Sequence, residues 1–316
     1  MQSGSESHEG APTIGLVIVS YHSEPEIARL LQSLRPAGSA PTVRVVVVSN
    51  SGDSAIQDGK DGVTVIQPGR NVGYARACNL GASVLETDYL VFCNPDVLIS
   101  EQCLHAMARL LAKNPEYGTM SPFESKVSAL CEPAGKVSDA STSSHTCIGH
   151  CFMISRAFFD AIGRWEERLF MYYEDTEFRD RVLDRGKKIG FAENITVLHS
   201  GEHSVLRLQP NELKFLCQAN LCSHTYYLLL RSGRLAAVGW LAKTCVNNAW
   251  KLLVRGPGLA NNRARKPNRG IFYHLYATKA FFSLRILANF FRLRSFVTWN
   301  GRRFIWQRES LLMMEK

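Results

Sequence analysis

Short, unbroken apolar runs alternate with stretches of helical spacing over the first hundred residues, and this alternation limits the fold more than any other feature. Residues 14–21 (IGLVIVSY), 43–48 (VRVVVV), 63–66 and 89–93 (YLVFC) read as strands. Residues 24–34 place apolar side chains at 27, 30, 31 and 34, a helical spacing, and 74–85 and 101–112 read as further helices. Strands that are apolar throughout imply a parallel sheet covered on both faces. The expected class is α/β, a mostly parallel sheet flanked by helices. In such sheets ligands sit beyond the carboxyl ends of the strands, so chemistry is sought just after Val19, Val48 and Phe92.

The pattern then loosens. Residues 114–146, rich in Ser, Pro and Gly, suggest a loop or short antiparallel strands. A strand at 151–154 leads into a helix with Ser155 as N-cap and Gly163 as its stop. A charged helix at 173–184 ends at Gly186, and 188–192 and 196–198 read as two short strands. From about 206 onward long helices are expected, broken by a Gly/Pro/Asn/Arg loop at 256–270. This divides the chain into a disordered lead (1–13), a catalytic-type α/β domain (14–204) and a helical C-terminal region (205–316).

Charge follows the same division. Residues 1–204 carry 18 Lys and Arg against 25 Asp and Glu, whereas 205–316 carry 19 against 3. A mildly acidic body with a strongly basic extension points to a polyanionic partner for the extension. With 46% hydrophobic and 21% charged residues, the chain of 316 can bury a sizeable core and is not a disordered polymer. Nine cysteines without a CxxC pair read as reduced, mostly buried thiols of a cytosolic protein. The polar start MQSGSESHEGAPT lacks the basic and apolar regions of a signal peptide. The longest uncharged stretch of the basic third, 215–230, is too short and too polar to span a membrane.

Four segments bear chemistry. Asn94-Pro95-Asp96 follows a strand directly; a carboxylate there suits a hard divalent cation, and the same tripeptide is a good turn. In Phe170-Met171-Tyr172-Tyr173-Glu174-Asp175 two acids open a helix after aromatic residues. An Asp at that point could take a proton from a bound hydroxyl; equally, acids suit a helix N-terminus, and pairs with Arg179 and Arg181 would give a solvated face. His199 ends a strand and His203 follows it, which makes a metal-ligand role open to either. Finally, 69–81 (GRNVGYARACNLG) opens a helix with backbone N–H groups and Arg76 available to phosphate or ribose, without being GxGxxG or a P-loop.

Taken in order, IGLVIVSYHSEPEIARLLQSL, RVVVVSNSGD, GRNVGYARACNLG, DYLVFCNPDV and GHCFMISRAFFDAIGRWEERLFMYYEDTEFRDRVLDRGKKIGFAENITVLHSGEHS resemble the family-2 glycosyltransferases of GT-A fold, notably bacterial rhamnosyltransferase-like members. The resemblance covers about 14–204. It implies Asp96 and His199 as ligands of a divalent cation, Mg²⁺ or Mn²⁺, with Asn94 nearby, and Asp175 as the catalytic base. It implies that Ser20, Tyr21, Asn50, Gly73, Arg76 and Asn79 surround the nucleotide-sugar, and that Glu174, Trp165 and His203 support the acceptor side.

Two positions depart from the family pattern. An Asp usually ends the second strand, where this chain has Ser49-Asn50-Ser51, with Asp53 available to compensate. The family's GFDE turn is Gly163-Arg164-Trp165-Glu166-Glu167 here.

The implied reaction is a single inverting displacement. A hydroxyl of a glycan or lipid-linked glycan acceptor, relieved of its proton by Asp175, attacks the sugar while the cation neutralises the diphosphate. L-rhamnose from dTDP-rhamnose is the donor suggested by resemblance, in the building of a cell-surface polysaccharide.

In the basic third, residues 271–296 place His274, Thr278, Arg285, Asn289 and Arg292 on one helix face opposite Phe, Leu and Ile. That arrangement fits either an interfacial helix on anionic lipid or an ordinary packed helix. The first would make the protein peripheral on the inner face of the cell membrane. No nucleic-acid-reading motif is present, so nucleic acid is not an expected partner. The rival functional reading is a non-catalytic nucleotide-sugar-binding or membrane-associated scaffold protein that keeps the fold.

Overall fold

The computed structural model describes residues 12–34, 42–51, 56–59, 62–125, 130–131, 136–142, 149–199, 210–261, 268–293, 295–299 and 304–308. Two compact units make up the chain. One contains residues 1–69, 78–164 and 179–200; the other contains 70–77, 165–178 and 201–316.

The elements run β1 (Ile14–Ser20), α1 (Glu24–Leu34), β2 (Val43–Ser49), β3 (Val63–Ile66), α2 (Tyr74–Ser83), β4 (Tyr89–Cys93), β5 (Val97–Leu98), α3 (Glu101–Lys113), β6 (Tyr117–Ser125), β7 (Leu130–Cys131), β8 (Val137–Asp139), β9 (Cys151–Ser155), α4 (Arg156–Ala161), α5 (Glu174–Asp184), β10 (Lys188–His199), α6 (Pro210–Asn261), α7 (Asn268–Leu293), β11 (Ser295–Trp299) and β12 (Phe304–Arg308).

The first unit is a ten-stranded sheet in the order β3-β2-β1-β4-β9-β6-β10-β5, with β7 and β8 also on β10. The apolar runs form its parallel half: β1 pairs in parallel with β2 and β4, and β2 with β3. Leu16, Ile18, Val47 and Leu90 are completely buried, as strands covered on both faces require. On the other half β9 runs antiparallel to β4 and β6, while β6 and β10 are parallel. The sheet is thus mixed, with its parallel half where the sequence places it. Close packing fixes α2 on the sheet: a Cβ on Gly81 would stand 2.5 Å from Val17 Cγ1. Ser100 and Ser155 cap α3 and α4 by accepting from Cys103 N (3.2 Å) and Phe158 N (3.3 Å).

Three local readings change. Of residues 114–146, β7 and β8 are short antiparallel strands on β10 as expected, but 117–125 (YGTMSPFES) form a longer strand, β6, between β9 and β10, buried from Gly118 to Pro122. The stretches at 188–192 and 196–198 are one strand, β10, whose register against β6 shifts between Ala192 and Thr196. The helix expected to stop at 256 continues to Asn261; its interruption lies at Gly233, where φ is 80° and ψ −178°.

In the second unit α6 and α7 bury Leu221, Cys222, Leu241, Phe282 and Ile286 against one another. Leu169 and Tyr226 form a second buried pair, with Arg168 over the Tyr226 ring at 5.6 Å. The sequence 70–77 belongs to this unit because its glycine sits on Phe170: Tyr74 N–H donates to Phe170 O (2.9 Å), and a Cβ on Gly73 would lie 2.6 Å from that oxygen. Strands β11 and β12 form a separate antiparallel pair. Cys78, Cys93, Cys103, Cys151, Cys217 and Cys222 are buried free thiols and Cys245 is a half-buried one. No helix among the described residues is long and apolar enough to cross a membrane.

Candidate active site

Strand β4 ends at Cys93, and the chain turns immediately. Val97 N–H donates to Asn94 O (3.3 Å) and Asn94 N–H to His150 O (2.8 Å). Asn94-Pro95-Asp96 is therefore a turn, and the turn is what aims Asp96. Residues 97–98 then pair antiparallel with the end of β10, Val97 facing His199. As a result Asp96 Oδ2 lies 3.3 Å from His199 Nε2. The opposite edge of the same ring is met by Glu124 of β6, with Oε1 3.3 Å from Nδ1.

This arrangement orients His199. The Asp96 contact raises its pKa above the ordinary imidazole value, against the opposing effect of burial. His150 lies parallel to His199, ring centroids 5.2 Å apart at 11°. Burial, followed by the neighbouring His199, lowers the His150 pKa and keeps its ring neutral. The ligand atoms of Glu124, His150 and His199 all lie within 4.8 Å of one another. Carboxylate and imidazole donors gathered this way fit a divalent cation of the Mn²⁺ type.

The ends of β1 and β2 meet through the backbone. Asn50 N–H donates to Ser20 O (2.8 Å), and both residues are buried. Tyr21 is exposed, its ring 4.7 Å from that of His22, which adopts a positive φ of 53°. Where the family pattern has a carboxylate, Ser49 Oγ instead pairs with Ser51 Oγ at 3.1 Å. Asn79 is half-buried on α2. Asp53 and His203 lie outside the described residues.

The acid pair belongs to the second unit. Tyr172 and Tyr173 have φ of 70° and 65°, two successive left-handed residues ahead of the helix. Each costs roughly 1–2 kcal/mol, a strain typical of functional segments. Tyr173 is braced by stacking on His224 at 4.2 Å. Asp175 Oδ1 accepts from Thr176 N–H (2.7 Å) and Thr176 Oγ1 (3.2 Å). Glu174 Oε2 is shielded from solvent and has no hydrogen-bond partner among the described residues. Burial, aided by the charge of Asp175, pushes the Glu174 carboxyl up to about 8. Glu174 is thus held protonated at neutral pH by its surroundings.

Other expected residues are placed as follows. Trp165 is a core residue of its unit, stacked on Phe178 at 4.5 Å and edge-on to Tyr74 at 5.8 Å. Gly73 has φ of 88°, and its N–H donates to Asn71 Oδ1 at 3.0 Å. Arg76 is half-exposed and 3.6 Å from Glu167. On α5, Arg179 donates to Ser141 O (2.7 Å) and Arg181 to Ile162 O (2.6 Å), so these arginines brace backbone carbonyls.

His150 and Glu124 were not legible as site residues. His150 sits one position before β9, whose antiparallel pairing with β4 sets Cys151 against Cys93 and so brings His150 to the Asn94 turn. Glu124 reaches His199 only because β6 lies beside β10. A histidine opening an apolar strand, GHCFMI, was the one available signal.

Residues 16–163 match the model of Glycosyl transferase family 2. A low-salt glycan biosynthesis hexosyltransferase of Haloferax volcanii is 27% identical over 213 residues, covering 59% of this chain and 67% of that protein. An N-acetylglucosaminyl-diphospho-decaprenol L-rhamnosyltransferase of Mycobacterium tuberculosis is 23% identical over 243 residues, covering 61% of this chain and 77% of that one. The crystal structure of GalNAc-T7 with UDP, GalNAc and Mn²⁺ superposes with a TM-score of 0.48 at 14% identity; this chain covers 48% of its length and is itself covered over 70%. The match takes in β1 to β4 and the turn that carries Asp96, so residues 16–163, part of a mixed sheet flanked by helices, form a glycosyl transferase family 2 domain.

Proposed function

We propose that this protein transfers a sugar, L-rhamnose from dTDP-rhamnose as the first candidate, from a nucleotide-sugar to a hydroxyl of a lipid-linked or polysaccharide acceptor in cell-surface glycan synthesis. The observation that carries the reading is the 3.3 Å approach of Asp96 Oδ2 to His199 Nε2 at the carboxyl edge of the sheet. The rhamnosyltransferase relative supports the donor and the lipid-linked acceptor.

Asp96 and His199 would hold a divalent cation there. Such an ion, when bound, neutralises charge on a departing diphosphate. Asp175, at the start of α5, accepts the proton of the attacking hydroxyl. Glu174, protonated beside it, limits repulsion within the acid pair. By resemblance, Ser20, Asn50, Asn79 and Asn94 are assigned to the nucleotide and Gly73 and Arg76 to the sugar-diphosphate.

The acceptor reading brings the protein to a membrane surface. On the segment 234–261, Leu235, Val246, Trp250, Leu253 and Val254 are exposed, and all but Val254 recur at helical steps on one face with Lys243 beside them. An exposed apolar stripe with adjoining lysines suits an anionic lipid interface. On α7 Phe282 and Ile286 pack in the core, as in an ordinary packed helix, while Phe281, Leu284 and Arg285 are exposed.

The test is thermal stabilisation by UDP, dTDP and GDP with and without Mn²⁺, followed by transfer assays with the matching sugar-nucleotides. Cation-dependent stabilisation by one nucleotide and its transfer are expected. Full turnover by Asp175→Asn would remove the base assignment, and nucleotide binding without any transfer would favour the non-catalytic reading.

A further inference from the structure

We infer that one turn of α6, residues 223–227, is a positioning element for the catalytic base: Ser223 and His224 fix the strained segment 170–173 and so set where Asp175 stands. On the reading of Asp175 as base, this gives the C-terminal helical region a part in the transfer step.

Tyr172 and Tyr173 are successive left-handed residues with bulky side chains, at φ of 70° and 65°. Such a conformation persists only where its surroundings over-determine it. Here α6 supplies the hold. Ser223, itself buried, donates its hydroxyl to Met171 O at 2.7 Å. The His224 ring lies flat on that of Tyr173, centroids 4.2 Å apart at 10°, and is backed by Trp240 at 4.0 Å. Tyr227 meets Tyr173 at 5.5 Å, and Tyr226 is buried against Leu169. Glu177 N–H donates to Tyr173 O at 2.9 Å, so the clamped residue also closes the first turn of α5. Only Glu174 separates Tyr173 from Asp175, and a rotation at Tyr173 therefore carries the carboxylate with it. All of these residues lie outside 16–163, the span of the family match. A base must stand within hydrogen-bond reach of the hydroxyl it relieves, and a misplacement of about 1 Å can cost about a hundredfold in rate.

The experiment compares Ser223→Ala, His224→Ala and His224→Phe in the full chain, each alone and with Asp175→Asn, well below every melting temperature. Turnover is read as dTDP release from dTDP-rhamnose, and the hold on the segment as amide hydrogen exchange over residues 172–178. Ser223→Ala and His224→Ala should each lower kcat about tenfold or more, leave KM for dTDP-rhamnose within about twofold, and speed exchange. His224→Phe, which keeps a ring on Tyr173, should recover most of both. With Asp175→Asn the further loss from His224→Ala should shrink to about twofold or less, because the group it positions is gone.

A His224→Ala protein that melts lower yet keeps wild-type kcat would make this turn of α6 ordinary packing and overturn the inference. So would an undiminished loss of kcat in the Asp175→Asn background. The exchange arm needs no sugar-nucleotide, so unchanged exchange in both Ser223→Ala and His224→Ala overturns it whatever the donor. Failure of the underlying reading shows elsewhere, as full turnover by Asp175→Asn itself.

Discussion

Tyr74 donates its backbone N–H to the carbonyl of Phe170 at 2.9 Å, tying the first turn of α2 to the aromatic segment that leads into Glu174 and Asp175. Gly73 makes the approach feasible. Its φ of 88° and the 2.6 Å clearance to Phe170 O leave no room for a side chain. Gly73→Ala should cost roughly 1–3 kcal/mol, from strain and the displaced contact together. Denaturant unfolding measures the loss, and Gly69→Ala, also at positive φ but with nothing within 4 Å, should cost less.

Asp175→Asn should lower kcat by about 10²–10⁴ while leaving nucleotide-induced thermal stabilisation intact, since the substitution removes a proton acceptor without changing volume. Steady-state transfer assays beside melting curves check both halves of that expectation.

Two groups in the second unit give its stability opposite pH limbs. Burial lowers His224 to about 4, among the rings of Tyr173, Tyr227 and Trp240. The unfolded chain takes up that proton near 6.5 and the folded one does not, so stability should fall as pH drops from 6.5 towards 4. Glu174 behaves in reverse. The folded chain keeps a proton that the unfolded chain releases near 4.5, so stability should fall as pH rises from there towards 8. One proton sets an upper slope of about 1.4 kcal/mol per pH unit. His224→Phe should flatten the acid limb and Glu174→Gln the alkaline one, read from melting temperatures across pH 4–9.

Arg76 and Glu167 form a half-exposed pair at 3.6 Å, a type worth about 0–1 kcal/mol. Arg76→Ala should leave the melting temperature nearly unchanged and raise KM for the sugar-nucleotide. An unchanged KM would remove Arg76 from the donor site.

Trp250 reports on the proposed lipid surface. Its emission should shift to the blue on mixing with vesicles containing phosphatidylglycerol, and not with neutral vesicles. Leu253→Glu should abolish the shift while changing stability by no more than about 0.5 kcal/mol, because the side chain is exposed.

The parallel half of the sheet was readable because the middles of β1, β2 and β4 are buried on both faces and so run almost continuously apolar. β6 was not: a strand between two others is held by its neighbours, and Tyr117–Ser125 carries too little apolar periodicity to announce itself. The same reason hid two residues of the carboxylate and imidazole cluster around His199. Asp96 and His199 end elements with clear patterns, whereas Glu124 and His150 acquire their meaning only from the β6–β10 and β4–β9 pairings. Gly233 was equally silent, since a glycine within a helical pattern does not say whether the helix tolerates it or breaks.

The ladder made by Val97 and Leu98 is a splint two residues long, with no slack. Side chains alternate with each step along such a ladder, so a slip of one residue by Val97 and Leu98 against β10 would turn both side chains to the opposite face of the sheet and take Val97 off His199.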